Sequence, residues 1–245
     1  MKSLGLIGFG QFGRLAATIL KSRYDVLVTD TSPGAEAAAR EMGVGFGSLE
    51  DAASRAVVVV AVPVVAMRQV FAAIAPHLQP GAVVIDVGSV KMLPAQWMVE
   101  ALPAHVDIVA THPLFGPQSA RNGLAGLRLV VCPIRGERHG SVAALGRELG
   151  LTVTVTTPEE HDREMAYVQA LTHLIGRSLV NLGIPDEDLK TPSYQHLLEL
   201  CALIGADTFE LFTAIQTQNP FAAEVVGAFV EQARSLLDQV EARRS

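Results

Sequence analysis

The sequence predicts an α/β fold in two parts: a doubly wound parallel sheet over residues 1–157, then an all-helical domain over residues 158–245. Three observations predict it. Val-rich apolar runs alternate with helical stretches through the first two thirds, the pattern of a parallel sheet covered on both faces. A glycine-rich turn joins the first strand to the first helix. From Pro158 onward strand signals vanish and apolar residues recur at three and four positions.

The first element is the apolar run at Leu4–Gly8, readable as a buried strand. It runs into Gly8-Phe9-Gly10-Gln11-Phe12-Gly13, and Arg14 to Leu20 have helical character. A second strand, Val26–Asp30, ends on an acid twenty residues after Gly10. G-x-G-x-x-G alone is weak, but strand, turn, helix, strand and acid together form the dinucleotide fingerprint of a Rossmann-type domain. Gly8 allows the tight turn, Gly10 lets backbone approach a pyrophosphate, and Gly13 packs helix on strand. Phe9, Gln11 and Phe12 complete the turn, and the phosphates sit at the helix N-terminus, where free N–H groups and the dipole favour an anion. Asp30 can accept from two ribose hydroxyls and repels a 2′-phosphate. Thr31-Ser32-Pro33-Gly34 supplies no arginine to hold one, so NAD is expected over NADP.

The alternation continues with a helix at Ala35–Met42 and a strand at Val57–Val62. Val62 and Pro63, which close that strand, are counted with the cofactor site. A helix at Val65–His77, a strand at Ala82–Val87 and a helix at Pro94–Leu102 follow. Strands at Asp107–Ala110, Leu127–Cys132 and Thr152–Thr156, with a helix at Gly140–Leu149, complete the first domain. Beyond a boundary near Thr157, apolar stripes run through Ala166, Leu171, Leu174, Ile175, Leu179 and Leu182, and Gly183-Ile184-Pro185-Asp186 breaks the first long helix. This Leu- and Ala-rich third is too small to bury all its stripes, so pairing with a second copy is expected; a self-contained helical cap is the alternative.

Composition sets bounds. The 245 residues suffice for two domains, and a net charge of −6 argues against a broad basic face for nucleic acid. Cys132 and Cys201 lie apart in apolar surroundings and read as buried thiols of a reducing compartment, the cytoplasm. The seven histidines show no metal-ligand spacing, so no metal is expected. The N-terminus does not read as a signal peptide, and the apolar run at Ala56–Met67 is broken by Pro63 and too short to span a bilayer.

Candidate chemistry gathers in four places. Thr111-His112-Pro113-Leu114-Phe115-Gly116-Pro117 reads as a rigid, Pro-flanked loop presenting one imidazole, suited to a base beside a nicotinamide. Gly88-Ser89-Val90-Lys91 follows a strand whose carboxyl end faces ligand in an open parallel sheet. Ser89 can reach the reacting centre there or cap the next helix, and Lys91 can bias the site electrostatically. Glu159-Glu160-His161-Asp162 opens the long helix, where acids complement the dipole; His161 reads equally as part of a solvated first turn or as functional. Gln169, His173 and Arg177 are spaced by four, with Thr172 beside them. They form a polar stripe on an apolar helix, suited to an anionic substrate.

These motifs resemble those of the prephenate/arogenate dehydrogenase family. Gly88-Ser89-Val90-Lys91, the His-Pro stretch at 111–117, Glu159-Glu160-His161-Asp162 and Thr172-His173-Leu174-Ile175-Gly176-Arg177 all correspond. The plant-type arogenate dehydrogenase branch is most alike. It also carries segments like Thr191-Pro192-Ser193-Tyr194-Gln195-His196-Leu197-Leu198 and Asp207-Thr208-Phe209-Glu210-Leu211. The resemblance implies a helical dimerisation domain, a homodimer, and NAD-dependent oxidative decarboxylation in tyrosine biosynthesis. It implies that His112 takes the proton of the substrate's ring hydroxyl, that Ser89 orients that hydroxyl or the imidazole, and that Gln169, Thr172, His173 and Arg177 hold the substrate's polar ends. Two departures stand out. Asp30-Thr31 replaces the Ser-Arg usual in the plant-type branch, and Gln216-Thr217-Gln218-Asn219 lacks the carboxylate-clamping arginine of some bacterial members, leaving Arg121, Lys190 and Arg177 as candidates. Asn122 aligns with an acid of arogenate-preferring relatives, so a neutral residue there, beside Arg121, favours the keto acid prephenate; Asn122 also fits a plain turn residue before Gly123. Two further readings are another small dehydrogenase, of the β-hydroxyacid or imine reductase type, and a non-enzymatic NAD sensor. The first would not need the His-Pro stretch, and the second should lose the polar cleft residues kept here.

Overall fold

The computed structural model describes residues 2–244, which divide into two compact units, 2–161 and 162–244. The first holds strands β1 (Lys2–Ile7), β2 (Tyr24–Thr29), β3 (Gly45–Phe46), β4 (Val57–Val60), β5 (Val83–Asp86), β6 (Asp107–Pro113), β7 (Arg128–Arg135) and β8 (Thr152–Val155). Its helices are α1 (Gln11–Leu20), α2 (Ala35–Met42), α3 (Leu49–Ala53), α4 (Val64–Ile74), α5 (Met92–Ala101) and α6 (His139–Glu148). Helix α7 (Pro158–Met165) carries the chain out of this unit. A π-helical stretch (Ala166–Leu171), α8 (Thr172–Leu182), α9 (Pro192–Ile204), α10 (Phe209–Gln218) and α11 (Ala222–Glu241) follow.

One sheet runs in the order β3-β2-β1-β4-β5-β6-β7-β8. The strand order reverses between β1 and β4, so the loops after these two strands leave the sheet at its switch point, where such sheets bind ligands, and the loop after β5 leaves one strand further along. Strand β4 is four valines, all buried, as a strand covered on both faces requires. The first six strands are parallel, but β7 pairs with β6 antiparallel, which corrects the expectation of a parallel sheet throughout. The connection over residues 114–127 forms no helix, and a parallel crossover normally uses one.

That pairing also corrects the reading of Thr111–Pro113 as loop. The ladder to β7 sets Thr111 opposite Val131, His112 opposite Val130 and Pro113 opposite Leu129, so these residues end a strand. Two short elements, β3 and α3, escape the sequence patterns, because two and five residues are too few to show a period. Helix α4 stops at Ile74, before the one-turn 3₁₀ segment Ala75–His77, where Pro76 cannot supply the N–H an α-helix needs.

In the second unit α8 ends at Gly183, whose φ of 69° is the left-handed C-cap that glycine adopts without strain. Helices α9 and α10 start on threonine caps, Thr191 and Thr208, whose side chains accept from Tyr194 N and Leu211 N. Ala170, Ile215 and Ala222 form the small buried core, with Leu211 and Val226 against it.

Candidate active site

The turn after β1 has the geometry a pyrophosphate requires. Gly8 has φ 100°, and a Cβ there would meet Ala61 O at 2.5 Å. A Cβ on Gly13 would meet Gly8 O at 2.1 Å, so helix and strand approach to a distance only glycine permits. Gly10 differs: nothing lies within 4 Å of a Cβ built there, which leaves the N-cap of α1 open to an incoming group. The first intrahelical bond is Arg14 N to Gly10 O, so the N–H groups of Gln11, Phe12 and Gly13 have no helical acceptor. Arg14 braces the turn, donating from Nε to Phe9 O at 3.1 Å with its guanidinium 5.4 Å from the Phe9 ring centre.

Asp30 sits beside this turn. Its Oδ2 accepts from Phe9 N at 2.5 Å and its Oδ1 from Ser32 N at 2.6 Å. Burial pushes its carboxyl up, but the Ser32 hydroxyl, the Phe9 and Ser32 amides and Arg14 outweigh that and hold it below the usual carboxylate range. It is therefore a fixed anion at neutral pH, with lone pairs left for hydroxyl donors. Val62 and Pro63 lie in the turn beyond β4, and Pro63 is the N-cap of α4.

Beyond β5 the chain builds a buried polar knot. Asp86 and Lys91 are both fully buried and pair with each other. Lys91 Nζ also donates to Thr111 O at 2.6 Å, Thr111 Oγ1 donates to Asp86 O at 2.6 Å, and Gly88 N donates to Asp86 Oδ2 at 2.9 Å. Burial pushes the Asp86 carboxyl up, and the Lys91 ammonium pulls against it. Lys91 thus acts on the site through the backbone of Thr111, one residue before His112, and not as a free cation. Ser89 does not cap α5, whose N-cap is Lys91. It is 7% exposed, and among the described residues its Oγ has no partner. Buried hydroxyls are nearly always hydrogen-bonded, so this one has bonding capacity to offer a ligand.

His112 is 5% exposed, and its Nδ1 lies 2.9 Å from Nε2 of His161, itself 2% exposed. The rings meet edge to face, 66° apart. This removes the solvated reading of His161. Glu160 takes the solvated place instead, accepting from Thr156 Oγ1 at 2.7 Å while Thr157 Oγ1 accepts from Glu160 N at 3.2 Å. His161 was legible in the sequence on one count: it precedes Met165 by four and shares its buried stripe.

In the helical unit, His173 is buried, and its Nδ1 is 3.8 Å from Asp207 Oδ2, too far for a hydrogen bond. Burial pushes its imidazole down, Asp207 pulls it up and Arg177 pushes it down. Burial likewise raises the Asp207 carboxyl. Arg177 Nη2 donates to Asp207 O at 2.6 Å. Gln169 Oε1, His173 Nδ1 and Arg177 Nε are buried without a partner among the described residues, so the predicted polar stripe does carry unmet bonding capacity; Thr172 beside it is half-buried. Gln169 falls in the π-helical stretch, a distortion that recurs at functional sites. Gln216 and Asn219 bond backbone, Gln216 Nε2 to Ala170 O at 2.8 Å and Asn219 Nδ2 to Asp162 O at 2.7 Å. Asn122 lies exposed in a turn before Gly123, whose φ is 103°.

Residues 16–142 match the family model described as prephenate dehydrogenase, nucleotide-binding domain, and residues 157–244 the one described as prephenate dehydrogenase, dimerization domain. The chain belongs to the prephenate dehydrogenase family. The fingerprint at Gly8–Gly13 lies ahead of the matched stretch, so its reading rests on the geometry above. Arogenate dehydrogenase 1, chloroplastic, of Arabidopsis thaliana is 30% identical over 98% of this family member and 39% of its own length. A probable arogenate/prephenate dehydrogenase of Methanocaldococcus jannaschii is 30% identical over 96% of the chain and 55% of its own length. The chain therefore spans roughly half the length of these curated relatives. Among solved structures, prephenate dehydrogenase from A. aeolicus in complex with hydroxyphenyl propionate and NAD+ superposes with a TM-score of 0.78 at 20% identity, covering 100% of this chain and 92% of that one. Synechocystis arogenate dehydrogenase gives 0.70 at 20% identity, covering 98% and 91%. Both share the fold of this family member. Among the described residues no helix is long and apolar enough to cross a membrane.

Proposed function

We propose that this chain oxidatively decarboxylates prephenate to 4-hydroxyphenylpyruvate with NAD as hydride acceptor. The observation that carries the reading is a buried His112 near the end of β6 and a buried, partnerless Ser89 hydroxyl just past the end of the neighbouring β5, in a sheet that opens with an acid-terminated dinucleotide fingerprint. Gly8, Phe9, Gly10, Gln11, Phe12 and Gly13 would receive the pyrophosphate, Asp30 the adenosine ribose, with Val62 and Pro63 alongside. When bound, the nicotinamide supplies the acceptor for the hydride that leaves the substrate's C4. His112 accepts the proton of the C4 hydroxyl as the carbonyl forms. Ser89 donates to or orients that oxygen. The carbon–carboxylate bond then breaks, its electrons complete the aromatic ring, and the proton returns from His112 to the phenolic oxygen. Carbon dioxide leaves, so the step runs one way.

Gln169, Thr172, His173 and Arg177 are assigned to the substrate's polar ends. Of the three candidate cations, Arg177 is best supported as the carboxylate partner, because its buried Nε has an unmet bond, whereas Lys190 pairs with Asp186 and Arg121 is exposed. A homodimer through residues 157–244 is supported by the dimerization-domain match and by exposed Phe229, Leu236, Leu237 and Val240 on α11.

Purified protein should form NADH from prephenate, and His112→Asn should lower kcat by about 10²–10⁴-fold, the range for a positioned proton acceptor, with NAD binding intact. No NADH from either prephenate or arogenate would overturn the reading. Arogenate is the second substrate to test, since the Arabidopsis relative is named for it. Its side-chain ammonium would need a carboxylate, and Asn122 is neutral. Asn122→Asp should therefore shift kcat/KM toward arogenate; an unchanged ratio would move specificity to the helical unit.

A further inference from the structure

We propose that His161 is the positioning residue that sets the tautomer of His112. The inference rests on the reading of His112 as proton acceptor. It starts from the 2.9 Å contact between His112 Nδ1 and His161 Nε2. Two neutral imidazoles can share only one proton across such a contact, so one nitrogen donates and the other accepts. If His161 donates, His112 carries its own proton on Nε2 and can only donate to a substrate hydroxyl. If His112 donates from Nδ1, its Nε2 is bare and can take the hydroxyl's proton. The reaction uses the second arrangement alone, with His161 Nε2 as the acceptor.

The same contact continues to serve once the proton has moved. His112 is then an imidazolium, and its Nδ1–H bond to His161 becomes charge-assisted, hence shorter and stronger. Both rings are nearly sealed from solvent, at 5% and 2% exposure, so water cannot readily take the acceptor's place. His161 is well anchored for this task. It stands in the first turn of α7, whose N-terminus is tied by Thr157 Oγ1 accepting from Glu160 N and Glu160 Oε2 accepting from Thr157 N at 3.3 Å. The histidine it serves is fixed from the other side, where Lys91 holds the carbonyl of Thr111. At metal sites, removing the group that orients a histidine through its second nitrogen typically costs about 10–100-fold, and the same orienting task sets the size expected here.

The test uses two substitutions at one position. His161→Phe keeps a ring but has no acceptor. His161→Gln keeps one, because a glutamine side-chain oxygen can stand near the place of Nε2. With prephenate and NAD, His161→Phe should lose about 10–100-fold in kcat with KM and NAD affinity nearly unchanged. His161→Gln should recover much of that loss. Nitrogen NMR of histidine-labelled protein, with the His112 signals assigned through His112→Asn, should show the Nδ1–H form in wild type and in His161→Gln. The Phe variant should lose that preference. Wild-type kcat in His161→Phe would overturn the proposal, as would equal losses in both variants with the His112 tautomer unchanged. If His112→Asn itself keeps its activity, the acceptor reading fails first, and that outcome is distinct from either result at position 161.

Discussion

Asp30 illustrates how one residue carries two duties. Its oxygens already hold the amides of Phe9 and Ser32, so the carboxylate shapes the turn in addition to the ribose contact proposed for it. Removing it should therefore both relax cofactor choice and loosen the turn. Asp30→Ser combined with Thr31→Arg should shift the ratio of kcat/KM for NAD over NADP toward NADP by at least tenfold, since the repelling charge is gone and a cation stands where a 2′-phosphate would sit. Steady-state kinetics with both cofactors check it, and a ratio within twofold of wild type would show that another residue sets the choice. Asp86 and Lys91 make the opposite point. Neither touches solvent, and the acid at the end of a Val-rich strand announces in retrospect that a buried cation must accompany it. The pairing with Lys91, five residues on, was legible from that rule, although Lys91 reads at first as a site cation.

At the scale of elements, the helices of the second unit are joined by close approach more than by bulk. A Cβ on Gly176 of α8 would meet Ile204 of α9 at 2.7 Å, so glycine there sets the distance between the two helices. Gly176→Val should destabilise this pair by about 1–3 kcal/mol, the usual cost of overpacking. Hydrogen exchange of the α8 amides should report it, while amides of β1 to β5 stay protected as before; unchanged exchange in α8 would mean that the helices part without penalty. The elements that sequence patterns predict well are those with many periods. β4, α4 and α6 fall within a few residues of expectation, because four buried valines or three helical turns repeat their signal. The two-residue β3 and the direction of β7 do not, because strand pairing is decided by distant partners and leaves no local trace.

For the whole molecule, the nucleotide-binding half was readable because its fingerprint is contiguous, whereas the histidine pair joins residues 49 apart in sequence. The family match agrees with the membership first inferred from separated motifs, and only the fold shows His161 against His112. His112 is paired to Val130, and the Pro113–Leu129 pair beyond it closes the antiparallel ladder, while Lys91 secures the preceding carbonyl. The stretch over residues 114–127, which includes Asn122, therefore hangs from two strand ends that are already locked. Such a hairpin behaves as an exchangeable cassette. Its length and charge can change without moving His112, at its base, out of register.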